Sequence, residues 1–405
     1  MGFEWQSISS AVSDEGSALL LRIEALLPHL RARAQDEEAQ RRLSPETIAD
    51  LRDCGFIKMH LPVAFGGLNL GLKEHFESSR LLARAAASTA WVGSFLAHNA
   101  IVVRKFSPDV QRQVFGDPEY SGVCGSNQAH AGSKAVTVEG GYRLTGRWGF
   151  TSGIHHASWT TVSMPVEQTD GTAAGRLFCL VPAKDVTIVD VWHTAGMKAT
   201  GSNDIVLDDY FVPADFAMAA DVFAGDSSPG ILAEPGNLLI RCPLYRIATL
   251  AHPAFALGVA ERALEVFESL IGKRQRYWGG GALVEAPAIH LLFALAVRDL
   301  RVARLLGEDL VERTIAGLEQ GYSLDDRAYI TLSSASSIDA AGSVVRELAR
   351  RSGGSMHFLG NEMDRILRDM SVLLNHSTGD LDYAAESAGG VMLGQGLGRR
   401  SPVFF

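Results

Sequence analysis

The apolar pattern of this chain changes period twice, and the order of the changes limits the folds open to it. Up to residue 118 apolar residues recur at helical spacing, as in Leu19, Leu20, Ile23, Leu26, Leu27 and Leu30. Ser44-Pro45-Glu46 offers a capping hydroxyl followed by proline at the first helical position, and that helix is expected to stop at Gly55. A long alanine-rich helical stretch is expected over 73–99, and a further helix near 108–115. Glu119 ends this regime. From Ser121 to Pro213 short β-branched or aromatic runs lie between turn signals, at 136–138, 160–164, 177–181, 186–192 and 204–212. Glu139-Gly140-Gly141-Tyr142 marks a hairpin, and about seven short strands are expected. Residues 221–237 gather Gly, Ser, Pro and acid, as a linker does. Helical spacing then returns in four long segments, roughly 245–273, 286–320, 325–351 and 360–396, which argue a bundle. Their apolar faces are wider than one internal seam needs, so an oligomer is expected.

This order predicts an α+β fold: an N-terminal helical domain over 1–118, a central β-barrel or sandwich domain over 119–221, a linker over 222–238 and a C-terminal four-helix bundle over 239–405. Strands do not alternate with helices, which disfavours a Rossmann fold. Gly389-Gly390 and Gly394-Gln395-Gly396 follow no strand, so they are no dinucleotide fingerprint. Among 405 residues, 37 Lys and Arg against 46 Asp and Glu leave a net charge of −9 with no basic stripe. Nucleic-acid binding is therefore not expected. Cys54, Cys124, Cys179 and Cys242 lie far apart without CxxC spacing, which suits reduced core thiols better than zinc or a disulfide framework. The 12 histidines show no metal-site pattern. No signal-peptide pattern opens the chain, and no apolar run reaches the about 18–20 residues of a membrane span. A soluble cytoplasmic protein is expected.

The chemistry centres on Gly146-Arg147-Trp148-Gly149-Phe150-Thr151-Ser152-Gly153, set between strand-like segments at 135–145 and 159–165. A large aromatic, small hydroxyls and glycines stand side by side there. A flat redox ring needs an apolar face to lie on and short donors at its edge; a plain hairpin corner would carry similar residues. His155 and His156 are adjacent, so on a strand they would face opposite ways and share no metal.

Four motifs, STAWVGSFLAHNA at 88–100, GGYRLTGRWGFTSGIHHASW at 140–159, GMKATGSNDIVLDDYFVP at 196–213 and RDMSVLLNH at 368–376, occur in this order. With the architecture, they resemble the acyl-CoA dehydrogenase superfamily over essentially the whole chain. Within it, the chain more closely resembles the oxygenase components of two-component flavin-dependent monooxygenases (group D), such as 4-hydroxyphenylacetate and steroid-phenol hydroxylases. Acyl-CoA dehydrogenases commonly place a catalytic glutamate about eight residues beyond an Arg-Asp pair. Here Arg368-Asp369 leads to His376 instead, and Asp380 and Asp382 come roughly a helical turn too late.

The resemblance implies that a separate NAD(P)H:flavin reductase supplies reduced flavin, FADH2 or FMNH2, to a homotetramer. Reaction with O2 would give a flavin C4a-hydroperoxide that inserts one oxygen into an aromatic or heteroaromatic small molecule. It also implies roles. Ser152, with Thr151 beside it, would hydrogen-bond flavin N5, and Trp148 and Phe150 would wall the ring. Thr200 and Ser202 would line the flavin and its phosphates, although Ser- and Asx-turn chemistry explains the same residues. Cys124, Ser126 and Asn127 would meet the isoalloxazine edge. Arg274, with Tyr277-Trp278-Gly279, would reach a neighbouring subunit's flavin phosphate, unless it forms a surface ion pair. His376 and His98 would serve the substrate pocket, His376 as an acid–base group; a helix C-cap is the plainer role for His98. The other readings are a dehydrogenase-like enzyme with tightly held FAD, an N- or S-oxygenase of the same fold, and a non-catalytic scaffold.

Overall fold

The computed structural model describes residues 12–167, 173–276 and 280–396. The N-terminal helices are α1 (Asp14–Gln40), α2 (Pro45–Asp53), α3 (Leu72–Ala83), α4 (Ala87–Val103) and α5 (Pro108–Phe115). Serine caps start three of them: Ser13 Oγ accepts from Gly16 N–H at 3.1 Å, Ser44 Oγ from Thr47 N–H at 3.2 Å and Ser107 Oγ from Val110 N–H at 3.4 Å. The stretch expected as one helix over 73–99 is two. Alanine's helix propensity gives no sign of the break at 84–86. Tertiary contacts decide it, with Arg84 turned aside onto Glu265 at 2.5 Å. The break lets α4 run in its own direction, buried on all sides between the β-domain and the bundle.

The strands are β1 (Val123–Ser126), β2 (Gln128–Ala129), β3 (Lys134–Val138), β4 (Gly141–Thr151), β5 (Trp159–Glu167), β6 (Ala173–Pro182), β7 (Thr187–Val189), β8 (Asn203–Pro213) and β9 (Ala217–Ala219). They form one sheet in the order β7-β8-β4-β3-β5-β6-β9, with β1 added parallel to β5 and β2 antiparallel to β4. The β3–β4 hairpin turns at Gly140, whose φ of 76° suits glycine. The strand expected over 186–192 shortens to β7. The amides of Val191 and Trp192 both donate to Asn203 Oδ1 at 2.9 Å instead of to a neighbouring strand.

The stretch read as a linker carries three short helices, α6 (Ala220–Ala224), α7 (Pro229–Ala233) and α8 (Leu238–Arg241). It is fastened down: Gly230 N–H donates to Lys105 O at 2.9 Å, and buried Arg104 pairs with Glu234 at 2.8 Å. Its polar composition hides these contacts.

The bundle comprises α9 (Leu244–Ile271), α10 (Pro287–Gln320), α11 (Leu324–Arg351), α12 (Glu362–Leu374) and α13 (Leu381–Met392). Pro253 lies inside α9 and cannot donate to Thr249 O; Ser334 Oγ fills that vacancy at 2.8 Å. The segment expected as one helix over 360–396 breaks at a 3₁₀ turn, Ser377–Gly379, with His376 as its N-cap. No helix among the described residues is long and apolar enough to cross a membrane.

Candidate active site

Helix α4 presents Trp91, Phe95 and His98 at i, i+4 and i+7, one face of the helix. Trp91 and Phe95 stack with centroids 5.1 Å apart, and Phe95 meets His98 at 4.8 Å. Facing them, α9 supplies His252, which lies flat on Trp91 at 4.6 Å and 7°, and Phe255 at 5.4 Å. The α12–α13 break supplies His376, edge-on to Trp91 at 5.4 Å and to His252 at 4.3 Å.

The third wall comes from the end of β4. Its register with β8 slips between Trp148 and Thr151, and Phe150 takes φ 58°, left-handed backbone for a bulky residue. Such a conformation costs about 1–3 kcal/mol and persists only where the surroundings impose it. It sends Phe150 outward, 63% exposed and edge-on to Trp192, and leaves Thr151 and Ser152 buried.

Ser152 Oγ ends a chain of hydroxyls. Trp91 Nε1–H donates to it at 3.0 Å, Ser152 Oγ and Ser202 Oγ are 2.7 Å apart, and Ser202 Oγ and Thr200 Oγ1 are 2.7 Å apart. Thr200 O–H donates to Met197 O at 2.8 Å. Because indole only donates and a carbonyl only accepts, every proton is assigned. Ser202 donates to Thr200, and Ser152 donates to Ser202. The 196–200 turn is clamped from α12: Asp369 Oδ1 accepts from Met197 N–H at 2.6 Å, and a Cβ on Gly196 would lie 2.1 Å from Arg368 O.

Indole, imidazoles and hydroxyls therefore make up this cluster, with no carboxylate in it among the described residues. Asp369 is engaged with Met197 and its carboxyl is pushed up to about 6 by burial; Asp380 caps α13 through Tyr383 N–H at 2.9 Å. Burial pulls His376 down to about 4 and His98 to about 3, and holds His252 well below the usual imidazole range, so all three are neutral near pH 7.

The structure brings Ser152, Thr200, Ser202 and His376 together around Trp91, and places His98 beside Phe95. His98 is interior to α4, which continues to Val103, so it is not a C-cap. Thr151 is buried directly beside Ser152 in the chain. Trp148 does not reach the cluster as a wall: its indole is fully buried in the β-domain and donates to Ser163 O at 3.0 Å. Phe150 points away, as described. Ser126 Oγ donates to Gly149 O at 2.5 Å and Asn127 is exposed beside it. Arg274 is engaged within its own chain, donating to Ser352 O at 2.5 Å and to Ser355 Oγ; Tyr277, Trp278 and Gly279 lie outside the described residues. His155 and His156 fall in a turn rather than a strand, with His155 Nε2 3.0 Å from Asn203 Nδ2. The cysteines are all buried, and burial raises their thiols to about 11–12.

Sequence reasoning missed Trp91, Phe95, His252 and Thr378. Trp91 and Phe95 stand in a quoted motif at a helix-face spacing with His98, a signal that could have found them. His252 announces itself only as a histidine beside a proline in an otherwise apolar helix.

A family profile described as "Acyl-CoA dehydrogenase, C-terminal domain" matches residues 250–380. A pigment production hydroxylase of a Rhodococcus species is 34% identical over 375 residues, covering 92% of this chain and 95% of its own. The flavin-dependent monooxygenase oxygenase subunit HsaA of Mycobacterium tuberculosis is 32% identical over 326 residues, 79% of this chain and 82% of its own. This chain belongs to the flavin-dependent monooxygenase oxygenase components. The crystal structure of HsaA monooxygenase from M. tuberculosis superposes on it with a TM-score of 0.86 at 28% identity, covering 95% of this chain and 98% of that one. The fold of this oxygenase is thus acyl-CoA dehydrogenase-like, and its cofactor is a flavin. The cluster suits that group: Thr151 Oγ1, His98 Nδ1 and His252 Nε2 are buried with no hydrogen-bond partner among the described residues, and buried polar atoms of this kind call for a partner, a ligand or a water.

Proposed function

We propose that this oxygenase inserts one atom of O2 into a phenol-like aromatic ring. Reduced flavin comes from a separate NAD(P)H:flavin reductase, and the reaction runs in the cytoplasm. The observation that carries the reading is His376: an imidazole stands at the Trp91 cluster where a thioester-oxidising relative keeps a carboxylate. When bound, reduced flavin supplies the electrons that activate O2 for transfer of one oxygen atom. The protein's part is binding, orientation and proton handling. Phe95, the half-buried ring of the cluster, offers an apolar face to an aromatic substrate, with Trp91 and Phe255 buried beside it. His376 takes the phenolic proton, which makes the ring carbon more electron-rich. Ser152 and Thr151 hold the flavin edge. Reduced flavin carries a hydrogen on N5, and Ser152 Oγ, whose own proton goes to Ser202, would accept from it with the hydroxyl chain as it stands. Trp91 Nε1–H keeps Ser152 Oγ in place. Arg274 is assigned to a flavin phosphate of a neighbouring subunit.

Two further features support the reading. A division at residues 118, 221 and 238 would set the cluster where N-terminal helices, β-domain and bundle meet, a common place for a cofactor. The outer face of α10 leaves Leu291, Leu295, Val302 and Leu305 exposed in one stripe, a surface a homotetramer would cover. Flavin retention tests the assignment. Oxidised flavin is expected to wash out on gel filtration and to bind at least about tenfold more weakly than reduced flavin, a difference of about 1.4 kcal/mol. A protein that stays yellow with tightly held oxidised FAD would favour the dehydrogenase-like reading.

A further inference from the structure

Thr378 lies between two imidazoles. Its Oγ1 is 2.5 Å from His252 Nδ1 and 2.9 Å from His376 Nδ1. A threonine hydroxyl carries one proton, so it donates to only one of the two rings and must accept from the other. The two histidines are therefore held in opposite tautomers. When His376 Nδ1–H donates to Thr378, Thr378 donates to His252 Nδ1, and His376 Nε2 is bare and basic. When His252 Nδ1–H donates to Thr378, His376 Nδ1 accepts and its Nε2 bears the proton. Thr378 N–H, 3.3 Å from His376 Nδ1, favours the second arrangement in the free chain; a phenolic O–H donating to His376 Nε2 would select the first. His252 is 3% exposed, and its Nε2 has no hydrogen-bond partner among the described residues.

We infer that His252, through the hydroxyl of Thr378, receives the proton that His376 takes from the substrate. This rests on the reading of His376 as the substrate's base. The phenol O–H bond breaks as His376 Nε2–H forms. His376 Nδ1–H then passes to Thr378 Oγ1 while the Thr378 proton passes to His252 Nδ1. The products are a phenolate and a His252 imidazolium; no electrons change hands. His376 ends with its Nδ1 bare, the arrangement that accepts from Thr378 N–H. The cation's destination has a physical basis in ring geometry. His252 lies flat on the Trp91 face at 4.6 Å and 7°, whereas His376 meets Trp91 edge-on at 69°. Only the flat contact puts the charge over the negative face of the indole, worth about 0.5–2 kcal/mol. Burial holds both rings neutral until a phenolate is present to balance the charge.

The test binds 4-nitrophenol to the full-length protein, buffered below the probe's own ionisation, and reads bound phenolate from its visible absorbance. 4-Nitroanisole, which has no proton to lose, reports pocket shape alone. His376→Ala is expected to lower bound phenolate about tenfold, one unit in the ionisation of the bound phenol. Thr378→Val and His252→Phe, which keep shape and ring stacking but lose the relay atoms, are expected to do the same while binding 4-nitroanisole as the wild type does. Thr378→Ser, which keeps the hydroxyl and loses a methyl, is expected to match the wild type. A packing role for Thr378 gives the reverse order, with valine harmless and serine damaging, and would overturn the relay. So would a fall in phenolate with His376→Ala alone, which leaves the base intact and the relay refuted. Unchanged phenolate in His376→Ala refutes the base and the relay together.

Discussion

Replacing His376 with alanine is expected to slow hydroxylation by about 100- to 10,000-fold, the usual contribution of a positioned general base. Oxidation of the reduced flavin by O2 is expected to continue at a rate within a few fold of the wild type. The asymmetry follows from position. His376 stands at the α12–α13 break against the Trp91 and His252 rings, whereas Ser152 accepts the Trp91 N–H. Its imidazole, drawn down to about 4 by burial, is neutral throughout the physiological range, and its Nδ1–H tautomer leaves Nε2 free to accept a proton. Parallel rapid-mixing measurements of flavin oxidation and product formation check this. Equal loss of both steps would contradict a role confined to the substrate.

Removing the hydroxyl of Ser152 acts on the other step. Ser152→Ala is expected to increase hydrogen peroxide release about 10- to 100-fold relative to hydroxylated product, the effect of losing one buried hydrogen bond of about 1–3 kcal/mol. In the wild type Ser152 joins Trp91 Nε1 to the Ser202–Thr200 pair, and the alanine variant leaves the Trp91 N–H and Ser202 without that partner. The ratio of peroxide to product, from a peroxidase-coupled assay beside chromatography, measures the effect. Unchanged coupling would remove Ser152 from the flavin edge.

Much of this molecule is legible in its sequence because its elements carry local signals. Ser44-Pro45 marks a capped helix start, and Glu139-Gly140 a hairpin, and both stand where the pattern puts them. Of the two breaks inside apparent long helices, only one is hidden. Nothing in the local propensity of 84–86 forbids a helix, and packing of Arg84 on Glu265 decides it, whereas Asn375-His376-Ser377-Thr378-Gly379-Asp380 is a turn signal that the periodicity of 360–396 masks. The site follows the same division. Ser152, Thr200, Ser202 and His376 stand in motifs that resemble a known group, and they converge. Of Trp148 and Phe150, expected as walls of the flavin ring, Trp148 faces the β-domain core ahead of the slip, and Phe150 is turned outward by a backbone slip that the letters do not show. His252 comes from a distant helix, so only the folded chain reveals its contact with Thr378.

Isotope labelling reaches the central claim most directly. The full-length protein, mixed with chemically reduced flavin, ¹⁸O₂ and a phenol, is expected to yield a product carrying one ¹⁸O atom in a new ring hydroxyl. Product whose new oxygen is unlabelled, or oxidation of an acyl thioester with no oxygen inserted into any ring, would contradict it.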